Sequence, residues 1–367
     1  MFVLIFLIIL SVLVFVHEMG HFLVAKATGV KVEEFGFGYP PRAVKLFRKW
    51  DTDFTLNWIP FGGFVKIAGE NYLEEKKEDE TLKYFTEANK IWQICILAAG
   101  VTFNILLAWV LFASTFIIGT PYPADGEYAN KIHAPVVMIS SVVPEYPAAK
   151  AGIKPGDVIQ EVERDGLKAE AVAGEELTTE AVSEFIGSSA DPVSFTVKRG
   201  EEEKTFTVTP TKNAEGDRLI VGIGMDRVGI LKLGIIDALV EGARNTRDIF
   251  LATVSGMWHL LSDSAKGNGD LSQVAGPVGI VGLVKDATLL GFVYLLSFTA
   301  FISINLAVVN LIPFPALDGG RILMVIIEAI KRSPVNPKIY NALNIVGFVL
   351  LIGLMVVITF NDILRLF

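Results

Sequence analysis

The sequence predicts a polytopic α-helical membrane protein with four transmembrane helices, a small β-sheet after the first helix, and a polar α+β domain inserted between the second and third. Hydrophobic residues make up 52% of the 367 residues, and the mean hydropathy of +0.51 is unusually high for a soluble protein. Four apolar runs are each long enough to cross a bilayer, which takes about 20 residues. The net charge of −8 argues against a nucleic-acid partner.

The four apolar runs predict the membrane-spanning segments and their orientation. The predicted helices cover residues 1–27, 91–119, 288–317 and 338–366. A secretory signal would need a basic residue before the first run and a small-residue cleavage site after it; neither is present, so we expect a mature helix. Lys and Arg residues lie near the ends of the spans within segments 26–90 and 319–338. We therefore expect those segments in the cytoplasm, and both termini and residues 120–285 outside.

The segment that follows the first helix, residues 28–69, alternates too regularly to be helical. Four short β-type runs are separated by turns at Pro-Pro, Asp-Thr-Asp and Pro-Phe-Gly-Gly. We expect a small sheet near the cytoplasmic mouth of the helix bundle. Residues 70–90 are predicted to be a cytoplasmic connection, of which 70–83 is highly charged and solvated.

The long polar segment is predicted to hold one compact domain over residues 133–228, after a linker at 120–132. Its predicted strands are VVMISSVV, DVIQEVE, VSFTVKR and EKTFTVTP, and its predicted helices are PAAKAGI and TTEAVSEFIGSS. This order resembles a PDZ domain, and PAAKAGIKPGDVI is similar to the PDZ domains of bacterial proteases. Residues 229–285 then form a connection in which the periodicity of 234–265 predicts an amphipathic helix on the outer membrane surface.

The most informative motif is His17-Glu18-Met19-Gly20-His21, which interrupts the first apolar run. His17 and His21 are four residues apart, so both rings share one helix face and can bind one metal ion. Glu18 lies beside that pair and suits a general base for a water molecule. Imidazole ligands in a tetrahedral site favour zinc. The alternative, two histidines that bridge helices by hydrogen bonds, does not explain the glutamate, which is costly inside a membrane.

A catalytic zinc ion needs one more protein ligand. The other histidines, His133 and His259, lie outside the predicted spans. Asp318 is better placed, because it follows a long uncharged run in which prolines unwind the helix, and irregular backbone persists at membrane depth only beside a polar cavity. The alternative is an ordinary aspartate at a helix end next to a Gly-Gly turn.

Together, HEMGH and the later Asn-x-x-Pro-x-Pro-x-Leu-Asp-Gly motif resemble the site-2 protease family of intramembrane zinc metalloproteases. The single PDZ-like domain resembles the bacterial regulator-of-sigma-E protease branch. The resemblance implies one Zn²⁺ ion bound by His17, His21 and Asp318, with Glu18 as the catalytic residue that activates water.

The same resemblance implies residues that contact the substrate. Asn310 matches the family's motif asparagine, which helps to hold the substrate backbone; capping of the broken helix is the alternative. Gly62, Gly63 and Phe64 resemble the Gly-Gly strand beside the active site, and Gly36-Phe37-Gly38 resembles a membrane-reentrant β-loop. Gly100-Val101-Thr102-Phe103-Asn104 corresponds to a Gly-Pro-x-x-Asn motif, from which Val101 departs.

The implied activity is hydrolysis of peptide bonds within transmembrane segments of single-pass proteins, such as anti-sigma factors or remnant signal peptides. The implied location is the bacterial inner membrane, with the PDZ domain extracytoplasmic and the active site facing the cytoplasmic side. Two other functions remain open at this point. A catalytically inactive scaffold could present the PDZ domain, and a metal transporter or sensor could use the same ligands.

Overall fold

The computed structural model describes residues 1–70, 83–124, 127–169, 177–213, 216–267 and 275–364. Its helices are α1 (Phe2–Ala27), α2 (Lys90–Ile118), α3 (Pro147–Ala151), α4 (Thr179–Gly187), α5 (Ile235–Ala265), α6 (Pro277–Leu290), α7 (Phe292–Leu311), α8 (Asp318–Lys331) and α9 (Pro337–Leu364). Its strands are β1 (Val32–Lys49), β2 (Thr52–Ile67), β3 (Thr120–Pro123), β4 (His133–Val142), β5 (Val158–Arg164), β6 (Leu167–Lys168), β7 (Val193–Arg199), β8 (Glu202–Val208), β9 (Thr211–Lys212), β10 (Leu219–Ile220) and β11 (Ile223–Leu231).

The chain forms two compact units. The first unit comprises residues 1–113, 239–285 and 296–367, and the second comprises 114–238 and 286–295. The helices α1, α2, α7 and α9 are each long and apolar enough to cross a membrane. They confirm the four predicted helical spans, although α2 continues without a break through Val101.

The third predicted span is shorter than the apolar run suggested. Helix α7 ends at Leu311, where the chain leaves the helix through Pro313 and Pro315. Proline lacks a backbone N–H and clashes with the preceding turn, so the apolar run cannot continue as one helix. Asp318 then begins α8, so the predicted cytoplasmic segment 319–337 is largely helical.

The predicted small sheet is present, but it consists of two long bent strands. The two strands pair antiparallel, with several register shifts along their length. Residues 32–37 lie in the centre, since Phe35 pairs with both Phe54 and Val65. Strand β1 reverses direction between Tyr39 and Arg42, as expected for the turn at Pro40-Pro41, because Phe37 and then Val44 pair with the same residue, Leu56. Residues 63–67 form one edge of the sheet.

The sheet packs on α1 and α2 through an aromatic core. Phe22, Phe35 and Phe54 are buried and contact one another edge to face or tilted, at centroid distances of 5.4–5.7 Å. Tyr84 and Phe85, which follow the charged segment 70–83 in the predicted cytoplasmic connection, are also buried. Most of that charged segment, residues 71–82, lies outside the described residues.

The second unit contains an antiparallel sheet and two short helices. The strand order is β3-β11-β4-β5-β7-β8, with β6 paired to β5. All four predicted strands and both predicted helices are present, within three residues of their expected bounds. The sheet also includes residues on both sides of the predicted domain, 133–228. The expected linker supplies the edge strand β3, and β11 extends to Leu231.

The region after this unit contains the helix that its periodicity predicted, α5. The middle of α5 packs on the bundle, a contact that the sequence did not predict. Ile249 and Phe250 contact a buried cluster that includes Phe112 of α2 and Ile304 of α7. Trp109 Nε1 donates a hydrogen bond of 2.8 Å to a backbone carbonyl of α5.

Candidate metal centre

Two imidazoles meet on one face of α1. His17 and His21 are one helical turn apart, and each is 7% exposed. Their Nε2 atoms lie 3.2 Å from each other. Both rings therefore direct the same nitrogen toward one point, although the residues sit in an otherwise apolar helix.

The carboxylate of Asp318 completes this group. Its Oδ2 atom lies 2.9 Å from His17 Nε2 and 3.4 Å from His21 Nε2. Because α7 ends at Leu311, the chain turns back and begins α8 with Asp318 beside α1. The structure thus brings together the three residues that the sequence singled out as candidate ligands.

The three atoms fit a zinc ion. A tetrahedral zinc site has bonds of about 2.0–2.2 Å, which separates its ligand atoms by about 3.3–3.6 Å. The three observed separations are 2.9, 3.2 and 3.4 Å, so the ligand atoms need to move apart by at most about 0.4 Å to reach that spacing. His21 Nδ1 must be a donor, because it lies 2.8 Å from the carbonyl oxygen of Ile96, which can only accept. In the neutral ring its Nε2 therefore carries a lone pair toward the other two atoms, as a metal ligand requires.

One face of α2 supports both imidazoles. Ile96, Gly100 and Asn104 recur every four residues, so they share that face. Ile96 supplies the carbonyl that contacts His21, and Asn104 Nδ2 lies 3.2 Å from His17 Nδ1. Gly100 lies between them, where an added Cβ would be 2.4 Å from His21 Nε2. Only glycine lets the helix backbone approach the two rings so closely.

Glu18 lies beside the three atoms and contacts the edge strand. Its Oε2 atom accepts a hydrogen bond of 3.0 Å from the backbone N–H of Val65 in β2. The residue lines a cavity of about 180 Å³. The lining residues are Glu18, His21, Phe64, Val65, Ile67, Glu70, Leu97, Asp318 and Arg321. The cavity therefore joins the candidate base, two candidate ligands and the edge of the sheet.

The four predicted substrate-contacting residues divide into two groups. Phe64 lines the cavity, and its ring covers Gly36 in the neighbouring strand. Asn310 is partly buried in the last turn of α7, and Gly62 and Gly63 lie at the start of the edge segment. Among the described residues, those that line the cavity do not include Asn310, Gly62 or Gly63.

Gly62 and Gly63 occupy positions that other residues would strain. Gly62 has a positive φ of 78°, and an added Cβ would lie 2.5 Å from the ring of Tyr39. At Gly63 it would lie 2.9 Å from the carbonyl oxygen of Gly36. These glycines shape the strand beside the cavity and do not line it.

Sequence reasoning missed contacts made by three other residues. Asn104 had been noted only as part of a motif, although an asparagine inside an apolar span is itself a signal of function. Arg321 lines the cavity and forms an ion pair with Glu70. The backbone N–H of Val65 could not have been found, because a main-chain donor is present at nearly every position of a sequence.

Comparisons with known proteins give matches along almost the whole chain. The family model of Peptidase family M50 matches residues 5–354. A candidate zinc metalloprotease of Clostridium perfringens (strain 13) is 35% identical over 367 residues, covering 99% of each chain. Zinc metalloprotease RasP of Geobacillus kaustophilus is 30% identical over 442 residues, covering 99% of this chain and 97% of the relative. Regulator of sigma-W protease RasP of Bacillus subtilis is 28% identical over 439 residues, covering 99% and 98%.

Proposed function

The chain belongs to peptidase family M50 and is a zinc metalloprotease of a bacterial membrane, and from this premise we propose that it hydrolyses peptide bonds within transmembrane segments of single-pass membrane proteins. One observation carries the proposal. The side chains of His17, His21 and Asp318 converge within hydrogen-bond range of one another, and Glu18 lines the same cavity. These four residues lie where α1, which is long and apolar enough to span a bilayer, meets the start of α8.

The proposed ligands of the zinc ion are His17, His21 and Asp318. When bound, zinc supplies Lewis-acid chemistry, which polarises a peptide carbonyl and makes water a stronger acid. Glu18 takes a proton from the attacking water and passes it to the departing amine. The Val65 N–H holds the Glu18 carboxylate in place at the edge of the cavity.

The edge segment 63–67 offers a way to present a membrane helix for cleavage. The carbonyls of an intact helix are engaged in its own hydrogen bonds and are poorly accessible to attack. On one side, residues 63–67 pair with residues 32–37, and within the described residues no strand pairs with the other side. A substrate segment can unwind and add there as a new strand, exchanging helical hydrogen bonds for intermolecular ones.

The proposed substrates are anti-sigma factors or remnant signal peptides that remain in the membrane after other proteases have acted. The name of the Bacillus subtilis relative, a regulator of sigma-W protease, supports a role in releasing a sigma factor. We place the protein in the inner membrane, with the active site toward the cytoplasm. The positions of Lys and Arg near the spans support this orientation.

The inserted sheet and its two helices support the assignment of a PDZ domain. We propose that this domain acts as a size filter. A filter of this kind admits only substrates whose outer domain has been removed. Replacing residues 120–231 with a flexible linker should then allow cleavage of an untrimmed substrate. Equally slow cleavage of that substrate by both forms would exclude the filter. Binding of a newly exposed carboxyl terminus is the alternative role, and a requirement for that terminus would reveal it.

A Glu18→Gln variant tests the proposed activity against its alternatives. The purified variant should retain one zinc ion per chain and lose cleavage of a single-pass membrane substrate. Glu203→Gln, an identical exchange on an exposed strand of the second unit, should leave cleavage unchanged. Undiminished cleavage by Glu18→Gln would refute the role of Glu18. Absence of cleavage by the wild type, together with zinc flux into vesicles, would favour a transporter, and absence of both would favour a scaffold.

A further inference from the structure

Asn104 is a buried polar side chain that contacts a candidate ligand and has no role in the proposed mechanism. It lies on α2 within the membrane-spanning part of the chain and is 0% exposed. Its Nδ2 atom is 3.2 Å from His17 Nδ1, and its Oδ1 atom has no hydrogen-bond partner among the described residues. The amide oxygen is therefore not committed to another contact and is free to accept a hydrogen bond.

The two imidazoles show which atom of the Asn104 amide should face His17. His21 donates its Nδ1–H to the carbonyl oxygen of Ile96, which leaves Nε2 as the lone-pair nitrogen. His17 directs the same nitrogen, Nε2, at Asp318, and its Nδ1 faces only the amide of Asn104 among the contacts described. For His17 to bind a metal through Nε2, its Nδ1 must carry the proton and donate it to an acceptor.

The side-chain amide of Asn104 can provide that acceptor. A rotation of 180° about χ2 exchanges Oδ1 and Nδ2 and hardly changes the space that the side chain fills. The exchange places the oxygen at the position now 3.2 Å from His17 Nδ1. The Asn104 backbone is held in place meanwhile, since its carbonyl accepts a hydrogen bond of 2.8 Å from the hydroxyl of Ser303 on α7.

We infer that Asn104 is a positioning residue of the metal centre: its side-chain oxygen accepts the Nδ1–H of His17 and so directs the Nε2 lone pair to zinc. Ile96 does the same for His21 with a main-chain carbonyl. One face of α2 thereby fixes the tautomer of both histidines. The inference rests on the proposed function only in taking His17 as a ligand.

The experiment compares zinc affinity in the full-length protein for three variants, by competition with a chelator. Asn104→Leu removes both polar atoms and should weaken zinc binding about 10–100-fold. Asn104→Asp keeps an acceptor oxygen but has no N–H, so it should bind zinc within a few-fold of the wild type. Asn305→Leu, on α7, is the matched control, with unchanged affinity, because the hydrogen bond described for its amide lies within its own helix.

A spectroscopic readout separates positioning from a general loss of structure. The chain has only four histidines, so ¹⁵N-histidine labelling gives an assignable spectrum. In the zinc-loaded wild type, His17 Nδ1 should carry the proton. In Asn104→Leu, that proton should exchange with solvent at least about 10-fold faster, because a hydrogen-bonded N–H must open before it exchanges. This readout needs no Asp variant, so it remains decisive even if Asn104→Asp does not fold.

Three results would overturn the inference about Asn104. Wild-type zinc affinity in Asn104→Leu would overturn the inference, as would an unprotonated Nδ1 in the zinc-loaded wild type. An Asn104→Asp variant that is folded yet as weak as Asn104→Leu would also overturn it, since the asparagine would then act as a donor. In none of these cases would the proposed protease function fail, because that depends on Glu18→Gln losing cleavage while it keeps zinc.

Discussion

A methyl group at position 100 should destroy the metal centre. In Gly100→Ala, the new Cβ would lie 2.4 Å from His21 Nε2 and 2.7 Å from His17 Nε2. Both atoms are proposed ligands, and both belong to rings buried between α1 and α2. The contact cannot be relieved by a flexible chain end, because the imidazoles are tethered by Asp318 and by their Nδ1 contacts.

The size of the effect follows from these distances. Ordinary contacts of a Cβ begin at 3.4 Å, so one ring or the helix must move by about 1 Å. A zinc–nitrogen bond is about 2.0–2.1 Å long, so this displacement is half a bond length. We expect the zinc affinity to fall at least about 100-fold, or about 2.8 kcal/mol. Cleavage should fall in parallel.

The assay is zinc content and chelator competition on the purified full-length protein. Gly353→Ala in α9 is the matched control, since nothing lies within 4 Å of its added Cβ. Both exchanges gain about 1 kcal/mol of intrinsic helix propensity, so a difference between them reports only the local contact. Wild-type zinc affinity in Gly100→Ala would refute the described approach of α2 to the imidazoles, and with it the arrangement of the centre.

Three other outcomes are expected from the same structure. Val65→Pro removes the N–H that contacts Glu18, and an edge strand tolerates proline, so cleavage should fall about 10–100-fold with zinc content unchanged. Val65→Ala keeps the N–H and should remain active. Equal activity of the two variants would contradict the role of this contact. Arg199→Met leaves the fully buried Asp157 without its bidentate partner and should destabilise the second unit by about 3 kcal/mol. Limited proteolysis of the full chain measures this loss. Lys204→Met removes an exposed ion pair and should have little effect. Removal of zinc by a chelator should abolish cleavage and lower the melting temperature. Zinc at about 1,000 times its Kd should then raise the free energy of unfolding by about 4 kcal/mol. An unchanged melting temperature would argue against an ion that links α1 to α8.

The parts of the site that the sequence revealed are those with unusual residues in an apolar context. His17, Glu18 and His21 lie in one helical turn, so their spacing alone predicts a shared face. Asp318 is distant in sequence, yet a carboxylate after a long uncharged run is conspicuous. These residues could be singled out without knowing how the helices pack.

The remaining contacts depend on tertiary packing, which local patterns do not encode. The approach of α2 to the imidazoles decides the roles of Ile96 and Gly100, and a backbone carbonyl has no sequence signature. Helix α8 was missed because Gly319-Gly320 reads as a turn, although its apolar residues follow a helical period. Strand β3 was missed because it is four residues long, contains two prolines and depends on pairing with β11, which is distant in sequence.

The proposed ligands are far apart in the polypeptide, since 301 positions separate His17 from Asp318. During synthesis, α1 enters the membrane long before the ribosome has made α8. A nascent or prematurely terminated chain therefore carries the two imidazoles without the carboxylate, and it cannot assemble the proposed three-ligand site. Hydrolytic capacity would then arise only after α8 has been made, so shorter unfinished copies would be unable to cleave neighbouring membrane proteins.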